Sequence, residues 1–532
     1  MSTKQPLLTT TMAYSRVAAA LVTASAVALY VSWRRSKTSR RRLKRASLAW
    51  VSSLSSSYWI VNVKIPIANL TTQGQLEQEQ RLSAVVDHEG LVPCHVWIRK
   101  GKIEKVVVGT ADIPQQTGLI APVLNAHGSL LMPCMVDAHT HLTKTHTVAR
   151  HCNPLGTMTV AMQVEAEHEE PRWKNATDVR RRMEFAVKSA LHYGTMAMRT
   201  HLDGCASLDT EIRDNVFDVF GALQKQYAQQ HQLILQGVAN LWLPLWLDDD
   251  VATPLANRAA AVGNIVLGAY TGNPSLPAEY DQTVAALSAI LSHAQRLQLD
   301  VDLHMDESND PACCVLKCLC EALAKARQAK YTGRVVLGHV CALSLQSIET
   351  KQAMCRTLAS LQHVYVVANP TTNLSLQDRR GSAAPQCLPI DANTPRTPQW
   401  RGLTLLQELR AAGVTVAAAT DNVRDHWYPY GDYDLLTTWA AVLGLGHLET
   451  APTAGHWADL CCGAAAAAMG LSCGFISVGA EANVILFPAA RSVSELLARP
   501  TAERIVMCKG VVVHHPLPDF AELDDLMSSS SA

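Results

Sequence analysis

Histidines and one aspartate stand where apolar runs of the chain end. His139-Thr140-His141 follows one such run, and His304, His339 and Asp421 each close another. In an extended strand, residues i and i+2 point to the same side, so both histidines of the His-x-His pair can reach one ion. Imidazole and carboxylate groups are common ligands of zinc and related divalent metals. A lone histidine at a strand end is usually structural, but four of them with an aspartate indicate a metal site.

Eight apolar runs in the centre of the chain position these residues. The runs cover residues 130–136, 195–198, 233–239, 265–269, 299–303, 335–338, 364–368 and 414–419. Stretches rich in Ala and Leu with helical character lie between most of them. Strands that alternate with helices predict a parallel sheet. Eight such units predict a closed TIM-type (β/α)8 barrel of the α/β class, whose chemistry lies at the carboxyl ends of the strands.

Shorter strand patterns flank this central unit on both sides. Residues 58–128 contain apolar strands with a tight turn at Gly101-Lys102, and the segment 474–515 has the same character. We expect these two segments to form one small β-sandwich beside a barrel that spans residues 129–473. Residues 516–532 are acidic and then rich in serine, which predicts a flexible tail.

The composition of the 532 residues fits a large buried core. Hydrophobic residues make up 48% of the chain and charged residues 17%, which excludes a disordered protein. The 46 Lys and Arg residues balance 46 Asp and Glu residues, so the bulk charge does not indicate nucleic acid as a partner. The fifteen cysteines follow no disulfide-scaffold spacing, and we expect reduced thiols in an intracellular compartment.

Residues 1–45 form a separate segment, with ten basic residues and no acidic one. Residues 17–33 are uncharged and apolar, at the lower length limit for a transmembrane helix. Eight of the twelve residues 34–45 are Lys or Arg. This order predicts a membrane anchor that holds the catalytic domain on the cytosolic side. The alternative is an Arg- and Ser-rich transit peptide to an organelle, either a mitochondrion or a plastid.

The order of the metal-ligand candidates resembles the amidohydrolase superfamily, in which His-x-His, His, His and Asp follow strands 1, 5, 6 and 8 of the barrel. Over roughly residues 58–515, further segments are similar to bacterial cytosine deaminase. They are Pro-Leu-Gly-Thr at 154–157, Met-Arg-Thr-His-Leu-Asp at 198–203, Val-Asp-Leu-His at 301–304, Leu-Gln-Asp-Arg-Arg at 376–380 and Asp-Asn-Val-Arg-Asp-His-Trp-Tyr-Pro-Tyr-Gly at 421–431. We therefore expect a member of the cytosine deaminase-like branch.

This resemblance implies a role for each residue of the site. The residues similar to the ligands of one divalent metal ion, Zn or Fe, are His139, His141, His304 and Asp421. His339 resembles the catalytic histidine of the family, and Asp421 its base. Glu307, three residues beyond a ligand, resembles the glutamate that shuttles protons. Trp427 resembles the aromatic wall of the base pocket.

A second metal ion is not expected at this site. In the binuclear branch of the superfamily, a bridging Lys or Glu ends the fourth barrel strand. Here that strand ends Ala269-Tyr270-Thr271-Gly272, which offers no such ligand.

Two departures from cytosine deaminase concern the substrate. Trp242 stands about where cytosine deaminase has a glutamine that binds the pyrimidine amide edge, although Asn240 is an alternative occupant of that position. Asn422 replaces a second aspartate after the metal ligand. Lys144 adds a cation at the same rim, as a substrate-binding residue or as a solvated loop lysine. We expect a larger or less polar heterocycle than cytosine, stacked between Trp427 and Trp242.

The most concrete expectation is a metal-dependent hydrolase of carbon–nitrogen bonds other than peptide bonds. It would deaminate a cytosine-like cyclic amidine, a small nitrogen heterocycle, by attack of metal-bound hydroxide. One alternative is a hydrolase that opens a cyclic amide ring, and another is an inactive, membrane-tethered barrel that acts as a binding protein. A zinc-dependent nucleic-acid deaminase is disfavoured because the chain lacks the His-x-Glu and Pro-Cys-x-x-Cys pair. We expect a homo-oligomer.

Overall fold

The computed structural model describes residues 44–70, 85–109, 121–231, 233–272, 277–379 and 397–527. The chain divides into two units, each with its own internal packing. The first comprises Met1–Met132 and Ile476–Val513, and the second comprises Pro133–Phe475 and His514–Ala532.

Sixteen strands lie in these described ranges. They are β1 (Ser57–Pro66), β2 (Leu91–Arg99), β3 (Lys102–Val108), β4 (Val123–Asn125), β5 (Leu130–Pro133), β6 (Met135–Thr140), β7 (Thr195–His201), β8 (Ile234–Trp242), β9 (Ile265–Tyr270), β10 (Val301–Met305), β11 (Val335–His339), β12 (Val364–Ala368), β13 (Thr415–Ala418), β14 (Val484–Phe487), β15 (Ile505–Cys508) and β16 (Val511–Val512).

The α-helices of the described residues surround and connect these strands. They are α1 (Arg45–Leu54), α2 (Met158–Val164), α3 (Ala176–Tyr193), α4 (Thr210–His231), α5 (Asp249–Val262), α6 (Pro277–Leu297), α7 (Val315–Gln328), α8 (Ile348–Ser360), α9 (Pro370–Leu376), α10 (Leu406–Ala411), α11 (Leu435–Gly446), α12 (Gly463–Ala468), α13 (Val493–Ala498) and α14 (Asp524–Met527). A π-helical turn covers Glu165–Glu169. Short 3₁₀ helices cover Ile67–Asn69, Glu170–Lys174, Leu243–Leu247, Ala342–Leu345, Ala454–Trp457 and Phe520–Leu523.

The first unit is built on one mixed sheet from both ends of the chain. Its strand order is β16-β15-β14-β5-β1-β2-β3, and β4 pairs with β1. The sequence pattern did not predict α1, yet Leu48 and Val51 of this helix are buried in the core of the unit. The run 130–136 was expected to form the first barrel strand, but the structure divides it between two sheets. Strand β5 (Leu130–Pro133) belongs to the mixed sheet, and the barrel strand begins at Met135.

The second unit is a barrel of eight parallel strands in the order β13-β12-β11-β10-β9-β8-β7-β6. β11 is buried at every position, as expected for a parallel strand covered on both faces. Small alanines of α12 pack against the inward side chains of the strands. The predicted class, a TIM-type (β/α)8 barrel with a small β-sandwich from segments before and after it, is confirmed.

The barrel closes between its first and last strands. The backbone N–H of Asp421, just beyond β13, donates to the carbonyl of His139 in β6 over 2.9 Å. One carboxylate reinforces this seam: Asp137 accepts from the Thr420 hydroxyl at 2.6 Å and from the Thr420 N–H at 3.1 Å. The seam therefore fixes two predicted metal ligands, His139 and Asp421, side by side.

The predicted membrane anchor at residues 17–33 is wrong, and so is the membrane-anchored location with its catalytic domain facing the cytosol. No helix among the described residues is both long and apolar enough to cross a bilayer. The longest of them, α4, has 22 residues but carries charges such as Glu211 and Asp214, and charged groups are costly in a bilayer. Residues 17–33 themselves lie outside the described ranges.

A buried histidine near the barrel mouth makes stability depend on pH. The ring of His146 packs 4.6 Å from that of Phe185 and 6.1 Å from that of Phe520. Neither ring nitrogen makes a hydrogen bond within the described residues. Burial, and then the charges of Arg424 and Arg182, lower the pKa of His146 to about 3. The folded protein therefore keeps this imidazole neutral in mild acid.

We expect His146→Asn to flatten the acid side of the stability profile. Between the folded pKa and the ordinary value near 6.5, the unfolded chain binds a proton that the folded chain refuses. Stability then falls with falling pH by up to about 1.4 kcal/mol per pH unit. Denaturant unfolding of both proteins between pH 7 and 4 measures this slope. An identical slope in the variant would show that His146 is protonated in the fold.

Candidate active site

The predicted chemistry-bearing residues converge at the carboxyl ends of the barrel strands. His139, His304 and His339 lie in the last two residues of their strands, and Asp421 follows β13 by three residues. His139 and Asp421 are fully buried. The structure also brings His201, the last residue of β7, into this group, with its Nε2 3.2 Å from Nδ1 of His139.

Three distances between donor atoms of the four predicted ligands match the spacing around one metal ion. His141 Nε2 lies 3.1 Å from His304 Nε2 and 3.4 Å from Asp421 Oδ1. His139 Nε2 lies 3.5 Å from the same carboxylate oxygen. Bonds of about 2.1 Å at tetrahedral angles separate donor atoms by about 3.4 Å. These residues therefore fit a divalent ion.

Missing hydrogen bonds point to the same conclusion. His139 Nε2 and both carboxylate oxygens of Asp421 are buried and have no hydrogen-bond partner in the described part of the chain. Burial, followed by the neighbouring imidazoles, lowers the pKa values of His139 and His304 well below the ordinary value. Both rings are therefore neutral at physiological pH, which is the form that binds metals.

Two overlapping triplets have donor atoms within 4.8 Å of one another among the described residues. One is His139, His201 and His304, and the other is His139, His339 and Asp421. His201 lies in the segment 198–203, which is similar to bacterial cytosine deaminase, but it was not predicted as a site residue. Its position at a strand end was the available signal.

Carboxylate and amide partners hold two of the imidazoles in place. Asp203 accepts from Nδ1 of His141, with oxygens at 3.0 and 3.2 Å, so Nε2 faces the other donor atoms. Burial and Lys144 oppose protonation of His141, but Asp203 outweighs them and raises its pKa to about 9. Metal binding at Nε2 would therefore displace a proton. His339 Nδ1 lies 2.8 Å from Oδ1 of Asn373.

Backbone strain marks the two positions that aim side chains into the site. His339 has a φ of 71° and Asp421 a φ of 59°, both in the left-handed region that non-glycine residues avoid at a cost of about 1–3 kcal/mol. The Val340 N–H donates to Met305 at 2.8 Å and the Asp421 N–H to His139 at 2.9 Å. These bonds hold the strained turns, which are typical of functional sites.

Glu307 lies beside His339 at the floor of the cavity. Its Oε1 is 3.5 Å from His339 Nδ1 and has no hydrogen-bond partner in the described residues. Burial raises the pKa of Glu307, so the carboxyl group holds its proton closer to neutral pH than an exposed glutamate. A carboxyl group in this state can act as a general acid.

A cavity of about 530 Å³ opens above these residues. Its walls include the four predicted substrate-binding residues, Lys144, Trp242, Asn422 and Trp427. The Lys144 ammonium lies 3.6 Å from the centroid of the Trp427 ring. Trp242 packs against Tyr270, with ring centroids 5.1 Å apart. The lysine therefore covers one face of Trp427.

Asn240 and Asn422, which lie near the carboxyl ends of barrel strands 3 and 8, differ in whether their side-chain amides already make hydrogen bonds within the protein. Asn422 donates from Nδ2 to Asp425 at 2.8 Å and accepts at Oδ1 from Thr372 at 3.4 Å, so its amide is already engaged. Asn240 lines the cavity, and its Oδ1 has no partner in the described ranges. Of the two asparagines, Asn240 is the one with an open acceptor.

Gly338 leaves room for a predicted metal ligand. A Cβ atom at this position would lie 2.7 Å from Cε1 and 2.9 Å from Nδ1 of His139, so a methyl group must displace the imidazole. We expect Gly338→Ala to weaken metal affinity by about 10–100-fold, the usual effect of disturbing ligand orientation. Competition with a chelator measures this change.

Gly444→Ala is a matched control for this substitution. Nothing lies within 4 Å of a Cβ at Gly444, which is in α11, so metal affinity should equal that of the unmodified protein. Equal affinities for both variants would contradict a metal site at His139.

The barrel, the converging imidazoles and the buried carboxylate of Asp421 are typical of a metal-dependent hydrolase. The family model described as "Amidohydrolase family" matches residues 217–514. The chain is 34% identical over 444 residues to a pterin deaminase from Rhizobium rhizogenes, which covers 83% of this chain and 92% of that protein. The chain belongs to the amidohydrolase family.

Other relatives are more distant. The chain is 24% identical to N-isopropylammelide isopropyl amidohydrolase from a Pseudomonas species, over 60% of this chain and 70% of that protein. The structure of 5-methylcytosine deaminase from Klebsiella pneumoniae superimposes with a TM-score of 0.64 at 21% identity, covering 87% and 98% of the two chains. These relationships identify the protein as a metal-dependent, deaminase-like hydrolase of carbon–nitrogen bonds.

Proposed function

We propose that this protein releases ammonia from an amino-substituted, bicyclic nitrogen heterocycle of the pteridine class. The observation that carries the proposal is the 34% identity to a pterin deaminase across 92% of that protein. The cavity supports it: about 530 Å³ lies within the range of pockets that enclose drug-sized ligands, about 300–1,000 Å³. A single pyrimidine ring is much smaller.

The proposed metal site uses His139, His141, His304 and Asp421. Nitrogen and carboxylate donors suit Zn²⁺ and Fe²⁺ alike, and we propose one such ion per chain. When bound, the ion supplies a water that ionises near neutral pH.

The chain's own residues would move the protons. Asp421 Oδ2, which has no hydrogen-bond partner among the described residues, would accept the proton of the attacking water. Glu307 donates a proton to the ring nitrogen beside the reacting carbon. Asn373 Oδ1 accepts from Nδ1 of His339 at 2.8 Å, and Asn369 Nδ2 lies 3.3 Å from its Nε2. These two amides would position the ring beside the oxygen that forms on that carbon. Asp421 would pass its proton to the amino group, which leaves as ammonia as the carbon–nitrogen bond breaks. The hydroxyl proton would return to Glu307, and the ring gains a carbonyl group.

Cytosine should be a poor substrate. Trp242 gives the wall a bulky apolar face, and the amide of Asn422 is engaged by Asp425 and Thr372. A single ring also leaves much of the cavity of about 530 Å³ unfilled, so it buries less apolar surface against these walls. A bicyclic ring recovers binding energy through the extra apolar surface that Trp242 and Tyr270 cover.

Ammonia release from the purified protein tests the proposal across pterin, cytosine, isocytosine and aminotriazines. We expect pterin turnover with kcat/KM above about 10⁴ M⁻¹s⁻¹, the lower end of typical enzyme efficiency, and cytosine turnover below it. Efficient cytosine turnover without pterin turnover would overturn the pteridine assignment. A product that gains one water without ammonia release would instead establish ring opening.

A further inference from the structure

The cavity wall contains a second polar pair, separate from the metal ligands and Glu307. Lys144 follows the His-x-His segment and is 5% exposed. Its ammonium lies 3.6 Å from Asp203 Oδ1 and 3.7 Å from Glu165 Oε2. These contacts, and that with Trp427, are longer than hydrogen bonds. The ammonium therefore faces the cavity with donors to offer a ligand.

Glu165 begins the π-helical turn Glu165–Glu169, directly after α2. Its Oε2 is buried and has no hydrogen-bond partner in the ranges that the structure describes, while the residue lines the same cavity. Interruptions of this kind in a helix are frequent at functional sites. A buried oxygen without a donor is costly unless a ligand or water supplies one.

The neighbouring carboxylates are already committed to other groups. Asp203 accepts from Nδ1 of His141 and from the Thr143 hydroxyl at 2.7 Å. Asp425 accepts from Asn422 and from the backbone N–H of Trp427 at 2.9 Å. Four carboxylates act on Lys144, and one of them, Asp421, belongs to the proposed metal site. Of the other three, Glu165 is the one with an oxygen that has no hydrogen-bond partner among the described residues.

A donor and an acceptor side by side match one particular chemical group. In a cyclic amide, a carbonyl oxygen lies next to a ring N–H, so the ring presents an acceptor beside a donor. An amino group beside an unprotonated ring nitrogen presents the reverse order. When a donor faces a donor or an acceptor faces an acceptor, the buried groups lose their hydrogen bonds. Such mismatches discriminate strongly between ligands.

We propose that Lys144 and Glu165 are specificity-determining residues that bind the cyclic-amide edge of the substrate. Lys144 Nζ donates to the ring carbonyl, and Glu165 Oε2 accepts from the adjacent ring N–H. This inference deepens the proposed function and rests on it for the ring class. Lys144 and Glu165 together would select oxo-substituted rings over the corresponding diamino-substituted rings.

Equilibrium binding tests the pair without requiring turnover. The probes are pteridine-2,4-dione, which has the edge but no amino group to lose, and its 1,3-dimethyl derivative, which keeps the carbonyl groups but lacks both N–H groups of that ring. Calorimetric titration of the metal-loaded protein should show the dione binding at least about tenfold more tightly than the dimethyl derivative. Uracil and 1,3-dimethyluracil repeat the comparison on a single ring.

Glu165→Gln tests the carboxylate directly, because the side chain keeps its shape. Burial, opposed by the charge of Lys144, raises the pKa of Glu165 to about 8, so the ring N–H must favour the ionised carboxylate on binding. We expect about tenfold weaker dione binding in the variant, since hydrogen bonds to a charged acceptor are roughly twice as strong as neutral ones. The preference over the dimethyl derivative should shrink with it. Glu167→Gln is the matched control: this neighbour has a side chain that is 72% exposed, and its loss should change neither affinity.

Each outcome bears on the inference. Equal affinities for the two diones in the unmodified protein, or a Glu165→Gln profile like that of the control, would overturn it. So would failure to bind any of the four probes. Pterin deamination that does not depend on Glu165 keeps the proposed function and overturns this inference. If the protein prefers the probes that carry the cyclic-amide edge but releases no ammonia from pterin, the inference stands and the proposed function is overturned.

Discussion

Replacing His304 with alanine should reduce the bound metal from about one equivalent per chain to near zero. Its Nε2 is one of the donor atoms that meet around His141 and Asp421, and a site that loses one of four ligands binds much more weakly. Turnover should fall at least about 1,000-fold, because a bound metal contributes several kcal/mol of transition-state stabilisation. Elemental analysis and ammonia release measure the two effects on the same sample.

Two further variants bracket this result. Asp203→Asn leaves the ligands in place but weakens the bond to His141, and a loss of about 10–100-fold in metal affinity is expected. His514→Ala changes an exposed histidine and should retain metal and activity. Full metal content in the His304 variant would contradict the proposed ligand set. Two equivalents in the reconstituted unmodified protein would contradict a single ion.

Replacing Glu307 with glutamine should leave the metal in place and lower kcat by at least about 100-fold, the usual size of a proton-transfer contribution. The substitution keeps the volume of a side chain whose Oε1 faces His339, but the amide cannot deliver a proton. KM should change little if the residue acts mainly in the chemical step.

The control for this prediction is Glu349→Gln, a change at an exposed position of α8 that should alter neither quantity. Metal content of the Glu307 variant distinguishes lost proton transfer from a disturbed site. Near-normal kcat with normal metal content would assign the proton shuttle to another group.

The barrel was predictable because its signals are local. Each strand is a short apolar run, and the polar residue that ends it identifies the carboxyl edge. The first barrel strand was harder, because residues 130–136 are continuously apolar and only Pro133, which cannot donate to a ladder, marks the change of sheet. Helix α1 was not predicted because it begins at the end of the basic stretch 34–45, whose charges dominate the sequence pattern there.

The outer half of the site depended on contacts that sequence spacing does not encode. Asp203 is two residues beyond the end of β7, but only the fold shows that it bonds His141. Glu165 lies in a helical interruption with no strand-end signal. Lys144 was predicted at the rim, whereas its position over Trp427 follows from how two loops of the barrel mouth pack.

The closing seam of the barrel has a consequence for biosynthesis. His139 belongs to the first barrel strand and Asp421 follows the last, and they meet through one backbone hydrogen bond. A nascent chain therefore cannot present both proposed metal ligands until nearly the whole barrel has left the ribosome. Such a long-range pairing is also among the slowest contacts to form. The topology therefore sets the order of events. Synthesis of the barrel segment is completed first, the barrel then closes, and the proposed metal ion binds last.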